Sequence, residues 1–357
     1  MLNRGAPPHR HQIAELVDLV DTRFSDPSPA VRITGVEPLG RLADLSPAHR
    51  RACARVLCAA LRAGPDPGDA EQDDQPPAGE TELQRALLAV LKARLTSTDP
   101  QTTWSALALD LSGIWLAGGD LAGIRLTGGS LRLSRSRIAG PLDLAGAVIE
   151  RGGAILLDRT TITGRVVLDR LTLTDGQVVL DHARLEGGEV SIEDASLTGG
   201  HLIATETQLP SGRLSLGRST IDGTMVTFHG STLSGAALVL DGARISSGRC
   251  YLTSLMLTGG SISFRDAAIA RPLLSLRMST LAGGRFDLTG VQPIETAEAD
   301  GGPDCFEGVY LIPPVDVRWG PWPEAEATTL DLREADDDPT GWSATRPTAP
   351  VTRTSRS

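Results

Sequence analysis

A chain of 357 residues that is 40% hydrophobic but only 3% aromatic must fill its interior with Leu, Ile, Val and Ala, while 39 glycines supply tight corners. The formal net charge of −10 is uneven: residues 1–107 hold 14 acids and 12 bases, 108–290 hold 17 acids and 17 arginines, and 291–357 hold 13 acids against 5 arginines. A neutral central body excludes the clustered Lys and Arg of a nucleic-acid-binding stripe, and no apolar run approaches the ~18 residues that a membrane-spanning helix needs.

Residues 1–64 read as a helical segment. Ile13, Leu16, Val17, Val20 and Phe24 recur at three and four as the stripe of an acidic amphipathic helix, where a signal peptide would carry an unbroken apolar run. A second segment, from Pro29 to Leu45, carries Val31, Leu39, Leu42 and Leu45, and Pro38 predicts a kink in it. The third begins at Ser46-Pro47, a favourable cap with proline at the first helical position, and buries Val56, Leu57, Ala60 and Leu61 before Gly64. Cys53 and Cys58 lie five apart on it; with Cys250 and Cys305 they form no CxxC pair, so neither zinc nor a disulfide framework is expected and a reducing, cytoplasmic setting is. Residues 65–80 are rich in Pro, Gly, Asp and Gln and predict a flexible linker, and 81–96 a further helix.

From Leu109 the period changes. Leu111, Leu116, Leu121, Leu126 and Leu131 stand five apart, with Gly113, Gly118, Gly123 and Gly128 two residues after a leucine. Five-residue spacing suits neither a helix nor an ordinary strand; it suits a square coil whose sides are short strands. Downstream the unit lengthens to twelve residues and runs through nine copies from Thr174 to Leu281. One inward column begins Leu185, Leu197, Leu209, Ile221 and Leu233, and another begins Leu180, Ile192, Ala204, Leu216 and Phe228. Two residues before each lies a companion column: small residues such as Ala183, Ala195, Thr207 and Ser219, and apolar ones such as Val178, Val190 and Leu202. Each unit therefore holds two short strands joined by a two-residue corner and then a four-residue corner, the latter often Gly-Gly, as at Gly187-Gly188 and Gly259-Gly260. A coil of twelve or twenty-four residues satisfies this pattern, and the four-sided one is preferred. Residues 104–290 are thus a β-solenoid, 291–323 around Cys305-Phe306 a C-terminal cap, and 324–357 a disordered tail; the helical region is expected to cover the open first coil.

Ile114-Trp115-Leu116-Ala117-Gly118 and Gly119-Asp120-Leu121-Ala122-Gly123 resemble the unit of the pentapeptide-repeat family. The whole chain looks like actinobacterial members that join a helical N-terminal segment, here Asp26 to Leu61, to a repeat body and a proline-rich tail, here Val317-Arg318-Trp319-Gly320-Pro321-Trp322-Pro323. The resemblance implies a mainly β fold, a right-handed β-solenoid with a small α-helical N-terminal region, and a family without a catalytic motif. No membrane helix precedes the helical segment, so a membrane-linked role is not expected.

Chemistry-bearing residues are sparse. His182 beside Asp181 could be drawn as a general-base pair. Asp158, Asp169 and Asp241 recur at equivalent corners, however, which makes Asp181 a turn residue capping local backbone and His182 an exposed polar corner. No GxSxG, HExxH or phosphate-loop pattern appears, and no catalytic, cofactor-binding or metal-ligating residue is assigned. Outward hydroxyls at Thr172, Ser191, Ser196, Ser215, Thr220, Thr227, Thr232, Ser263, Ser275 and Thr280 would make a flat binding ladder only on a shared face. Arg184, Arg244 and Met256 share one outward column. Val179, Ile203, Val239 and Tyr251 share another, an apolar stripe that is the candidate partner-binding face. The expected function is a non-enzymatic protein-interaction or scaffolding solenoid with a protein partner or a second copy of the chain, and without nucleic acid, membrane or cofactor. The alternative is a DNA-mimicking modulator of a topoisomerase, which needs a strong negative field that seventeen acids and seventeen arginines do not supply.

Overall fold

The computed structural model describes residues 9–64, 78–270, 273–294, 309–312 and 314–318. Five helices among these precede thirty-four short strands: α1 (His9–Phe24), α2 (Pro29–Ile33), α3 (Val36–Leu45), α4 (Arg50–Arg62) and α5 (Ala78–Thr96). The strands wind into a parallel β-solenoid of about eight coils. The first coil has four sides, β1 (Ala108–Asp110), β2 (Trp115–Leu116), β3 (Gly119–Asp120) and β4 (Arg125–Thr127), and each founds a sheet, called faces 1 to 4 below. Strands pair with the strand four later up to β28–β32, and the last pairings on faces 2 and 3 skip one fewer, so faces 1 and 4 have eight strands and faces 2 and 3 have nine.

This settles the coil length. Leu109 stacks on Leu131, Leu131 on Ile155, Ile155 on Val178, and Val178 on Leu202, so the first three steps take 22, 24 and 23 residues and the following ones on this face 24 each. The twelve-residue unit is therefore half a coil. Residues twelve apart face each other across the core: Leu185, Leu209 and Leu233 lie on face 2, Leu197 and Ile221 on face 4. All five are fully buried, as are Val178, Val190, Leu216 and Phe228, each contributing about 1.5–3 kcal/mol relative to exposure. Nine stacked strands at ~4.8 Å give a rod on the order of 38 Å long.

The small-residue column has a further reason. A Ser or Thr there can return its hydroxyl to the backbone of the same column's neighbours, which a larger apolar side chain could not. Ser219 donates its hydroxyl to the Ile192 carbonyl at 2.7 Å and accepts the Ala195 N–H at 3.0 Å; Ser231 and Ser279 repeat the pattern with Ala204 and Thr207, and with Leu252 and Leu255. These hydroxyls are buried and satisfied, so their place in the core costs little.

Three corrections concern the helices. The chain breaks at Thr34-Gly35 between α2 and α3, not at Pro38, which stands third in α3 where an N–H has no intrahelical partner to lose. Gly35 fits because a Cβ there would come 2.7 Å from the Arg23 Cβ of α1. α4 begins at Arg50, preceded by turns in which the Ser46 hydroxyl meets Nδ1 of His49 at 2.7 Å. Residues 78–80, placed by composition in the linker, form the first turn of α5; the rest of that linker lies outside the described residues.

α5 lies across the first coil, with Leu83, Leu87, Leu88, Leu91 and Leu95 buried between the other helices and the rod. Its Gln84 acts as a missing strand: the side-chain amide donates to the Trp115 carbonyl at 2.9 Å and accepts the Ala117 N–H at 3.2 Å. Leu88 rests on Gly119, where a Cβ would come 2.6 Å from its Cδ1. Ion pairs fasten the layers: Arg32 to Glu80, Arg94 to Asp44 at 2.8 Å, Lys92 to Asp120 at 2.5 Å, and Arg62 to Asp110 at 2.8 Å. At the other end, Gln292–Ile294, Tyr310–Leu311 and Asp316–Arg318 continue faces 4, 2 and 3 as strands. Cys305-Phe306 and everything beyond Arg318 lie outside the described residues.

Candidate functional site

Each three-residue strand points its middle side chain inward and the other two outward, so face 1 carries two outward columns. From Ser130 onward the first reads Ser130, Ala154, Gln177, His201, Met225 and Arg249, and the second reads Arg132, Leu156, Val179, Ile203, Thr227, Tyr251 and Ser275. The thirteen positions include no acid. Leu156, Val179 and Ile203 lie on successive strands with Met225 on the next, and Thr227 separates them from Tyr251; Val179 is buried and the others are half-buried. Val239, expected in the same stripe, belongs to face 3 on the opposite side, because it is an odd multiple of twelve from Val179 and Ile203. The same half-coil offset divides Arg184 and Met256 on face 2 from Arg244 on face 4.

Face 3 has the opposite character. Arg165 meets Glu189 at 3.1 Å, Asp316 takes Arg285 at 3.1 Å and Arg318 at 3.2 Å, and Arg218 reaches Glu193 and Asp194 at 2.8 Å each from the adjoining corner. Arg265 pairs with Asp241 at 2.8 Å. The Ser215 hydroxyl first, then Arg218, hold the Glu193 carboxyl below its usual range against the effect of burial, and hydrogen bonds from Arg218 do the same for Asp194. Arginines and acids are thus interleaved along this side.

The corner pair drawn from sequence is not brought together. His182 Nδ1 meets Oε2 of Glu206 at 3.3 Å, both exposed, while the Asp181 carboxylate accepts the Thr205 N–H at 2.8 Å. Asp181 therefore caps backbone one coil on, and not the local turn; Asp169 and Asp241 likewise accept the N–H groups of Glu193 and Arg265 at 3.0 Å. The ten outward hydroxyls are dealt to all four faces, with only Thr172, Ser196 and Thr220 on adjacent strands of face 4 and Ser191 and Ser215 on face 3, so they make no extended ladder.

Sequence reasoning missed a groove where α4 passes over the free edge of β1. It encloses about 810 Å³; Arg51, Arg55 and Arg62 line the helix side, and Ala108 and Asp110, the first outward positions of face 1, line the strand side. Cys58 forms its floor. Burial pushes the Cys58 thiol up to about 11, although the Asp110 backbone N–H directed at it opposes this, so the sulfur stays protonated. Cys53 and Cys250 are also free and buried thiols. The helix-side signal was present in the spacing of Arg51, Arg55 and Arg62 on one helical surface, but nothing local says what lies opposite. Among the described residues no group of His, Cys, Asp and Glu could hold a metal ion, and no helix is long and apolar enough to cross a membrane.

Against known protein families, curated proteins and solved structures, the chain has no match.

Proposed function

We propose that the chain is a non-catalytic, protein-binding solenoid of the pentapeptide-repeat kind, acting in the cytoplasm, with face 1 as its contact surface. The observation that carries this is the acid-free stretch of face 1 from Ser130 to Ser275, on which Leu156, Val179, Ile203 and, past Thr227, Tyr251 share one column, while the opposite side is occupied by ion pairs. A contiguous apolar strip framed by polar residues is the usual mark of a contact surface. The stacked coil adds a rigid, extended presentation of it. Unpaired cysteines agree with a reducing compartment. DNA mimicry is the weaker reading, because arginines alternate with acids on face 3 and no acid stands on face 1 between Ser130 and Ser275.

The test uses the full chain as bait in native lysate beside Ile203→Arg with Tyr251→Arg on face 1, and Ser261→Arg on face 3. A partner retained by the parent and the face 3 variant but lost by the face 1 variant supports the proposal. Retention that ignores the face 1 change, or turnover of a substrate by the purified chain, overturns it.

A further inference from the structure

The groove between α4 and β1 differs chemically from the rest of the rod. α4 has the sequence RRACARVLCAALR, with four arginines and no acid. Arg51 and Arg55 sit one turn apart and exposed, and among the described residues neither makes an ion pair; Arg62 is half-exposed and bound to Asp110. Asp110 is the single acid on the walls. Burial pushes its carboxyl up, but hydrogen bonds from Ser112 together with Arg62 and Arg132 outweigh this and hold it ionised, so it occupies Arg62 alone and leaves two cationic forks unanswered.

The strand side is also incomplete. In the next two coils the residue just before the inward one on face 1 donates its N–H backwards, Ser130 to the Leu107 carbonyl and Ala154 to the Gly129 carbonyl, both at 2.9 Å. β1 is the first strand of its sheet and has no strand before it. The edge of Ala108 therefore borders the groove instead of another strand.

We propose that this groove is a docking site for an acidic peptide segment of a partner protein, laid along the edge of β1 with its carboxylates on Arg51 and Arg55. Planar guanidinium forks suit carboxylates bidentately. A space of about 810 Å³ holds a short extended segment. The groove opens onto the first outward positions of face 1, so one partner can engage both surfaces. The inference deepens the proposed binding function, yet its residues lie on α4 and are tested apart from the face 1 stripe.

The experiment is fluorescence anisotropy on the full chain with a labelled eight-residue Glu/Asp peptide, its Gln/Asn counterpart, and an eight-nucleotide oligothymidylate. The expected result is saturable binding of the acidic peptide, at least tenfold weaker in Arg51→Glu with Arg55→Glu, weakened by raising salt from 0.15 to 0.5 M, and unchanged in Ile203→Arg or in Arg249→Glu. Both α4 positions are exposed, and an unchanged circular dichroism spectrum confirms that the variant is folded. No saturable binding, or binding indifferent to the α4 variant, overturns the proposal. So does oligothymidylate binding as tightly through the same arginines, which would make the groove a nucleic-acid site. A concentration-dependent dimer abolished by the α4 variant would assign it to a second copy and overturn it equally.

Discussion

Replacing either of two corner glycines with alanine separates backbone conformation from coil stacking. Gly187 has φ +77°, and a Cβ there would meet nothing within 4 Å. Only the left-handed conformation is then charged against Gly187→Ala, about 1–2 kcal/mol. Gly260 has nearly the same φ, +81°, but its Cβ would come 2.0 Å from the Ala236 carbonyl oxygen and 2.8 Å from the Ala236 nitrogen in the coil before. Relief requires the coils to part by roughly an ångström. That movement strains the bonds that set their spacing, Ser261 N–H to the Ala236 carbonyl at 2.9 Å and Arg285 N–H to the Gly260 carbonyl at 3.0 Å. At about 1 kcal/mol net for each bond, and more where a buried carbonyl is left unsatisfied, Gly260→Ala should cost about 3–5 kcal/mol in all. Urea unfolding followed by far-ultraviolet circular dichroism gives the comparison, with m-values checked because repeat arrays can unfold in parts. Hydrogen exchange at the Ser261 and Arg285 amides gives the local readout. Equal costs at the two positions would mean that φ alone selects glycine and that contact between coils does not.

Leu197→Asp places a carboxylate in a column with no exposure and should cost more than about 4 kcal/mol, so an unchanged melting temperature would remove the basis for a continuous core. Deleting residues 1–103 strips α5 from the first coil and should convert the protein to aggregates on size-exclusion chromatography; Gln84→Ala, which orphans only the Trp115 carbonyl and Ala117 N–H, should cost about 1–3 kcal/mol and leave a soluble chain. Stability should also fall in acid. Glu193, Asp194 and Asp287 titrate below their ordinary values in the fold, so their contribution is complete above about pH 4–4.5, where the unfolded carboxylates ionise, and is lost as pH drops through the folded values. Urea midpoints should be level between pH 7 and 5 and decline below 4, with a smaller decline in Arg218→Ala; an equal decline in that variant would show that Arg218 does not depress the two acids.

The core was legible because each coil repeats the same inward chemistry: Leu185, Leu197 and Leu209 announce themselves by position alone. The surface was less so, since a period of twelve is compatible with stacking or with opposition. Val239 shows the difference, fitting the apolar stripe by sequence and standing on the far side in space. Asp181 looked like a local cap because turn aspartates commonly are, as Asp143 is with Ala145; only coil stacking brings Thr205 within its reach. The groove required two segments 48 residues apart, Arg62 and Asp110, and no local pattern relates them. Pro38 misled because a proline disrupts a helix interior and not its first turn.

Half-coil periodicity also imposes different length rules on the inside and the outside of the rod. Duplicating or deleting a single twelve-residue unit would leave every buried column filled, since both halves of a coil offer equivalent inward side chains. Yet all downstream surface would swing through half a revolution, bringing the Tyr251 side to where the Arg218 cluster had been. Insertions of twenty-four would lengthen the rod and preserve its facing. Folding thus tolerates changes in units of one half-turn, whereas keeping a ligand-contacting side aligned demands whole turns, and a lineage could exchange one surface for the other without rebuilding its interior.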